Sequence, residues 1–123
     1  MDRELKVNKC DYDFQNDTIF FYKDSDKYGF SIDIDGIILD VNENNNIMGI
    51  EILDASKKFK SSKSDLRDVH HFDATIEINE KNIEVNMKLE IFKRNRLMNR
   101  SLDALTLNNM HLPSATQGLA VTC

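Results

Sequence analysis

The segment Asp40–Glu51 carries oxygen-bearing side chains at the spacing of a calcium-binding loop. Positions one, three, five and twelve of such a loop hold Asp40, Asn42, Asn44 and Glu51. Carboxylate and amide oxygens at these positions can surround Ca²⁺. However, strand-like sequence replaces the helices that normally flank a calcium loop. We therefore favour a hairpin whose Asn-rich turn satisfies its own backbone, with a calcium site as the alternative.

The remaining side chains with catalytic chemistry are poorly placed for it. His70 and His71 are neighbours, so they point in different directions on a strand or a helix and do not share a metal readily. Cys10 and Cys123 lie near the two ends of the chain, where order is least expected. Acidic pairs lie on the wet faces of expected strands. We predict a protein that is not an enzyme, with no catalytic residues and no cofactor.

Phosphate-binding and nucleic-acid-binding signals are weak. The chain has four glycines, and none lies in a GxGxxG or GxxxxGK[ST] spacing. Two basic clusters, with Phe59 and Phe92 interleaved, could follow a phosphate backbone and stack a base. The clusters consist of Lys57, Lys58, Lys60, Lys63 and Arg67, and of Lys93, Arg94, Arg96 and Arg100. Acidic residues dilute the first cluster and the net charge is −5, so we expect solvated faces and no nucleic-acid partner.

The two cysteines and the amino terminus bear on the cellular compartment. Residues 1–13 mix both charge signs and lack the apolar run of a secretory signal, and no stretch has the length of a membrane span. Two cysteines do not make a disulfide framework, so we expect two free thiols in a reducing cytoplasm. A bridge between Cys10 and Cys123 is the alternative if the chain ends meet.

Length and composition indicate a single globular domain over residues 1–123. Hydrophobic residues make up 41% and charged residues 30% of the chain, which is the balance of a protein with one packed core. Residues 1–54 carry 13 acidic and 5 basic side chains, whereas residues 55–123 carry 8 and 11. This asymmetry is compatible with self-association or with an acidic partner.

Most of the hydrophobic pattern has period two, which predicts strands. Residues 17–23, 28–34, 36–41 and 47–53 form four successive candidates. Ser25–Lys27 would connect the first two as a hairpin, and Asp35–Gly36 and the Asn-rich segment 42–46 would connect the others. The first half is therefore predicted to be a four-stranded meander.

The second half is predicted to start with short helices and to continue as strands. Asp54 would cap a helix over residues 55–59, and Ser64 or Asp65 would cap a turn over residues 66–69. Strands are expected at 74–78, 83–91 and 101–107, the last with a helical turn as the alternative, whereas the tail from Asn108 has little pattern. The fold class is mainly β, an antiparallel meander or sheet with one or two short helices between two groups of strands.

Three segments of the first half resemble a known family. Residues 12–21, Asp35–Asp40 and Met48–Ser56, the last containing Gly-Ile-Glu-Ile-Leu-Asp-Ala-Ser, are similar to the small archaeal and bacterial family catalogued as domain of unknown function twenty-two eighty-three. The resemblance covers residues 12–59 and implies a meander followed by a short helix. Some relatives are similar to the small partner of toxin-like proteins, so the resemblance also implies an antitoxin role as one alternative.

Protein interaction is the function class that these observations favour. A sheet with one apolar face must cover that face, and a second copy or a protein partner can do so. The clearest apolar face alternates along one strand through Ile83, Val85, Met87, Leu89 and Ile91. We predict that this strand is an interaction surface of a homo-oligomer, with packing inside the chain as the competing interpretation.

Overall fold

The computed structural model describes residues 2–6, 9–23 and 27–123, and two short helices interrupt its ten strands. The first six strands are β1 (Asp2–Lys6), β2 (Lys9–Asp13), β3 (Thr18–Tyr22), β4 (Tyr28–Ile34), β5 (Ile37–Asn42) and β6 (Ile47–Ile52). The remaining elements are α1 (Ala55–Lys58), α2 (Lys63–Leu66), β7 (Val69–Ile78), β8 (Asn82–Lys93), β9 (Arg96–Leu107) and β10 (Ala115–Thr122). The predicted fold class, mainly β with minor helix, is confirmed.

Sheet 1 has the strand order β2-β3-β6-β5-β4. The predicted β4-β5-β6 meander is confirmed, and its first turn uses Asp35 and Gly36 at φ 50° and 83°, where glycine carries no steric penalty. The predicted hairpin between β3 and β4 is wrong, because β3 pairs with β2 and β6. Ser25 and Asp26 of that expected turn lie outside the described residues. Strand β2 was not predicted, because three of its five residues are charged and its alternation of apolar and polar residues is short.

Sheet 2 has the strand order β1-β10-β7-β8-β9. The predicted antiparallel strands in this half are confirmed, and β9 is longer than expected, pairing with β8 over its whole length. The tail, in which no element was expected, contains β10. This strand pairs with β7 and, in parallel, with β1.

The two sheets pack face to face and bury one hydrophobic core between them. Phe21 of β3 and Phe72 of β7 stack across the interface with ring centroids 3.8 Å apart. Gln117 of β10 crosses the same interface. Its side chain accepts from the Ile47 N–H at 3.2 Å and donates to the Ile47 carbonyl at 2.8 Å, so a buried amide joins sheet 2 to β6 of sheet 1.

The helices begin differently from the predicted caps. Asp54 adopts a left-handed conformation and its side chain makes no cap hydrogen bond. The carboxylate of the distant Asp17 instead accepts from the Ser56 N–H at 3.0 Å. Ser62 caps α2, and Asp65 completes the capping box as the third helical residue. Among the described residues, no helix has the length and apolar character that crossing a membrane requires.

A disulfide joins Cys10 of β2 to Cys123, with the two Cα atoms 5.8 Å apart. The expectation of two free thiols is therefore wrong. The Cys123 N–H donates to the carbonyl of His70 on β7 of sheet 2 at 2.9 Å, so the disulfide links sheet 2 to β2 of sheet 1. The chain ends meet because β10, which the sequence pattern did not reveal, returns the tail to the sandwich.

Candidate functional site

The outer face of sheet 1 contains a hollow of about 270 Å³. We call it the acidic hollow, and among the described residues it is lined by Phe20, Tyr22, Tyr28, Asp40, Met48 and Glu51. Two of the predicted calcium ligands, Asp40 and Glu51, therefore lie together. The four other side chains give the hollow an aromatic and apolar wall, which the sequence spacing alone did not indicate.

Gly49 is a neighbour of three residues that line the acidic hollow, Tyr22, Asp40 and Met48. It lies on β6 between Tyr22 of β3 and Asp40 of β5, its partners in the two neighbouring strands. A Cβ atom at this position would come within 2.9 Å of the Tyr22 Cβ. The strand register shifts beside Gly49, so that Met48 has no partner on β5. The missing side chain thus lets β3 pack closely against β6, and the register shift accompanies the position of Met48 in the lining of the hollow.

A short hydrogen-bonded chain holds the Asp40 carboxylate. The Ser31 hydroxyl donates to Asp40 Oδ1 at 2.7 Å, and the Tyr28 and Ser31 hydroxyl oxygens are 2.7 Å apart. Because the Ser31 hydrogen is used on Asp40, the Tyr28 hydroxyl donates to Ser31. Two residues of the edge strand β4 therefore fix the orientation of the Asp40 carboxylate.

Glu51 has an abnormal proton affinity. Burial, followed by a hydrogen bond to Asp40 and by the negative charge of that carboxylate, raises the pKa of Glu51 from 4.5 to about 7. Near neutral pH the two carboxyl groups therefore share the hollow with a proton between them for part of the time. Two adjacent carboxyl groups in one hollow attract a positively charged group.

The other two predicted calcium ligands belong to the turn. Asn42 is 8% exposed, and its side-chain oxygen accepts from the N–H groups of Asn44 and Asn46 at 2.9 and 3.0 Å. Asn45 takes a left-handed conformation with φ 64°. The favoured hairpin turn is therefore confirmed. Residues 40–51 do not form a calcium-binding loop, because the side-chain oxygen of Asn42 accepts hydrogen bonds from the backbone of the turn.

A polar network connects two of the segments that carry the family resemblance. Asp17, 7% exposed, accepts from the Tyr12 hydroxyl at 2.8 Å and from the Ser56 hydroxyl at 2.6 Å. Burial acts to raise the pKa of Asp17, but hydrogen bonds from Ser56 and Tyr12 outweigh it, so the pKa is lowered overall. The network attaches α1 to the β2–β3 hairpin and is structural.

Three residues of the second basic cluster, Lys93, Arg94 and Arg96, line one hollow with Met98, whereas the histidines and the first cluster have other neighbours. His71 Nδ1 lies 3.2 Å from the Thr122 hydroxyl, and His71 Nε2 lies 3.7 Å from Asp73. Phe59 is buried and is not available to stack a base. Arg67 instead lies over the exposed ring of Phe14, 3.9 Å from its centroid. Within the described parts of the chain, no group of three or more His, Cys, Asp or Glu residues could hold a metal.

The predicted interaction strand is an interior strand. β8 pairs with β7 on one side and with β9 on the other, so it is not a pairing edge. Its apolar face is in the core, where no side chain exceeds 3% exposure, and that face consists of Ile83, Val85, Met87, Leu89 and Ile91. Packing within the chain, the competing interpretation, is what the structure shows for these five side chains.

The open edge of sheet 2 is β9. Its twelve residues pair with β8 in unbroken register, and no described strand pairs with its other side. Three leucines on its outer face are half to two-thirds exposed, namely Leu97, Leu105 and Leu107. Phe92 of β8, which is 49% exposed, lies opposite Leu97. Period two could have revealed these leucines, but the charged residues between them weakened the signal.

A β-sandwich of two five-stranded sheets, with an acidic hollow on one and an open edge on the other, is the class that this geometry defines. Residues 9–56, from β2 to the start of α1, match the family described as "Protein of unknown function (DUF2283)". No solved structure matches the chain.

Two curated relatives match all or most of the chain. A Methanosarcina mazei protein named "Putative hypoxanthine phosphoribosyltransferase" is 53% identical over 123 residues, which is the full length of both chains. "Uncharacterized protein MJ0789" of Methanocaldococcus jannaschii is 40% identical over 93 residues, 75% of this chain and 79% of the relative. The chain belongs to the same family as these two relatives.

Proposed function

We propose that the protein is a non-enzymatic interaction module that self-associates through the open edge of β9. The observation that carries this proposal is a twelve-residue strand in regular register whose outer side has no strand partner among the described residues. Such an edge presents unpaired N–H and C=O groups that can pair with another chain. A second copy of this chain is the partner that the pattern of β9 fits.

The other sheet edges are less suited to pairing. β1 and β2 have five residues each, and β4 has seven with a register shift between Tyr28 and Phe30. Short strands and bulges are the usual protection of a sheet edge. β9 has neither, so it is the edge at which a second sheet can continue.

Two-fold antiparallel pairing of β9 with its copy brings the exposed leucines together. Residues directly opposite one another share a sheet face, so odd-numbered residues face odd-numbered ones. Centred on Ser101, the pairing places Leu97 opposite Leu105 of the second copy. Centred on Leu102, it places Leu97 opposite Leu107. Both registers cover apolar surface that the single chain leaves exposed.

The charges of β9 favour the same two registers. Pairing centred on Arg100 would place this side chain opposite its own copy, and pairing centred on Asp103 would do the same with two carboxylates. Like charges directly opposite one another are destabilising. The registers centred on Ser101 and Leu102 avoid both conflicts and also cover the exposed leucines.

Light scattering after size-exclusion chromatography tests the proposal at tens of micromolar protein. We expect the mass of a dimer for the natural chain and of a monomer for the double variant Leu97→Lys and Leu105→Lys. In the register centred on Ser101 the two substituted positions lie opposite one another, so each lysine would face a lysine of the second copy, and in the register centred on Leu102 the lysine at position 97 would face Leu107. A matched control is Leu53→Lys, an exposed leucine at the end of β6, which we expect to remain a dimer. A monomeric natural chain would overturn the proposal.

The name of the M. mazei relative does not lead us to propose the same activity for this chain. Transfer of a phosphoribosyl group needs a pyrophosphate site, which proteins often build at a helix amino terminus or a glycine-rich loop. The helices in the described residues have four residues each, and the four glycines of the chain are dispersed. These features favour an interaction module over a transferase.

A further inference from the structure

We propose that the acidic hollow of sheet 1 binds the ammonium group of a small organic cation. The hollow combines two adjacent carboxyl groups, Asp40 and Glu51, with the rings of Phe20, Tyr22 and Tyr28. Carboxylates neutralise an ammonium charge, and aromatic faces attract it through their quadrupoles. Met48 adds a polarisable apolar wall for the carbon chain of such a ligand.

The strand pairing around the hollow favours a ligand that enters end-on. Tyr22 and Asp40 are the partners of Gly49 on the two neighbouring strands, and Gly49 has no side chain to extend between them. Glu51 lies opposite Phe20 on the same side of the sheet. A charged head group can therefore reach both carboxyl groups while its carbon chain contacts the rings.

A metal ion fits these groups less well. Calcium takes six to eight oxygen ligands, whereas the hollow offers two carboxyl groups and a mostly carbon wall. The Ser31 hydroxyl is directed at Asp40 and the Asn42 oxygen at its own turn. An organic cation needs fewer oxygen contacts and gains from the rings, so it is the ligand class that the lining selects.

The proton affinity of Glu51 supports the same ligand class. The raised pKa of this carboxyl group, about 7, reflects burial beside another carboxylate. A cation placed between the two groups would favour their ionised forms, so that binding releases a proton near neutral pH. Binding should accordingly be several-fold tighter at pH 8 than at pH 5.5.

Amide chemical shifts in ¹H–¹⁵N spectra test the proposal with n-butylammonium chloride as the probe. At constant ionic strength and pH 8, we expect saturable shifts at Met48, Gly49 and Glu51 with a dissociation constant on the order of 1 mM. The neutral isostere n-butanol should shift these amides little. Equal shifts with butanol would overturn the proposal, because the hollow would then be merely apolar.

Two sets of variants identify the groups responsible. The double variant Asp40→Asn and Glu51→Gln should weaken butylammonium binding at least tenfold, and Tyr28→Leu should weaken it several-fold. The matched control is Glu84→Gln with Asp103→Asn, which removes two carboxylates from a shallow hollow on sheet 2 that has no aromatic side chain in its lining. We expect no change for this control.

Unchanged binding by the Asp40 and Glu51 double variant, with its fold verified by the same spectra, would overturn the proposal. So would saturable shifts at these amides with calcium chloride but not with butylammonium, since the site would then be a metal site. The acidic hollow and β9 belong to different sheets, so this inference and the self-association proposal can fail independently.

Discussion

At the scale of single residues, Asp17 is a buried polar side chain that links β2 and α1. It has a left-handed backbone with φ 54°, and its carboxylate accepts hydrogen bonds from Tyr12 and Ser56. Asp17→Asn keeps a residue that tolerates this backbone but removes the charge and one acceptor. We expect a loss of about 2 kcal/mol in the free energy of unfolding at pH 7, measured by urea denaturation.

Low pH should remove the contribution of the Asp17 carboxylate to the free energy of unfolding. Its pKa lies below the ordinary value in the folded protein, so the carboxylate stabilises the fold above the ordinary pKa, and this contribution is lost as the pH falls through the folded value. The difference between Asp17→Asn and the natural chain should therefore shrink below pH 4. Asp35→Asn is the control, because Asp35 has a similar φ of 50° but is exposed, and its stability should change by less than about 0.5 kcal/mol.

Glu51 should act in the opposite direction. Its pKa is about 7 in the folded protein, above the ordinary 4.5, so the stability present below pH 4.5 decreases as the pH rises to about 7. Burial is the largest cause of the raised pKa of Glu51 and the neighbouring Asp40 the next, and Tyr22 and Tyr28 are the other titratable groups in the lining. Glu51→Gln should match the natural melting temperature near pH 4 and exceed it above pH 7, as differential scanning fluorimetry can show.

An exposed glutamate provides the comparison for Glu51. Glu80, in the turn between β7 and β8, is exposed and lies outside the lining of the acidic hollow, so Glu80→Gln removes one carboxylate without altering the pair of Asp40 and Glu51. If Glu51→Gln and Glu80→Gln gave the same pH profile, the raised pKa of Glu51 would be contradicted.

At the scale of elements, Gln117 is the polar link between β10 and β6. Its buried amide satisfies both the N–H and the carbonyl of Ile47. Gln117→Leu would leave two buried backbone groups unpaired, so we expect a loss of about 3 kcal/mol in the free energy of unfolding. Chemical denaturation measures it, with Gln15→Leu in an exposed turn as the control. Equal effects of the two substitutions would refute this role.

The sequence predicts the elements whose signals are local. β8 alternates without interruption, and the Asp35–Gly36 and Asn-rich turns identify the β4-β5-β6 meander. Pairing between distant segments is not encoded in such patterns. The placement of β3 beside β6, and of β10 between β1 and β7, depends on which faces fit across the core.

In the candidate site, too, the sequence predicts the residues of one local segment and not those from distant strands. The calcium-loop spacing selected Asp40 and Glu51, which do lie together. It also selected Asn42, whose side chain serves the turn. The aromatic wall comes from β3 and β4, which are separated from one another by β5 and β6 in the sheet, so no local motif could indicate it.

At the scale of the whole molecule, the disulfide between Cys10 and Cys123 spans 113 residues. Closing so long a loop restricts the unfolded chain, and the chain-entropy model gives about 5 kcal/mol of stabilisation. We expect dithiothreitol to lower the denaturation midpoint of the natural protein. The double variant Cys10→Ser and Cys123→Ser should start at that lower midpoint and not respond to the reductant. A natural protein insensitive to dithiothreitol would contradict this role.

The order of strands in sheet 1 also has a consequence for folding kinetics. β4, β5 and β6 are consecutive and can pair early, whereas β3 has only β2 and β6 as neighbours. The β2–β3 hairpin must therefore wait for β6 before it can join the sheet, and contacts between such distant segments slow folding. Substitutions within the β4-β5-β6 meander should mainly slow folding, whereas those at the contact between β3 and β6 should mainly accelerate unfolding.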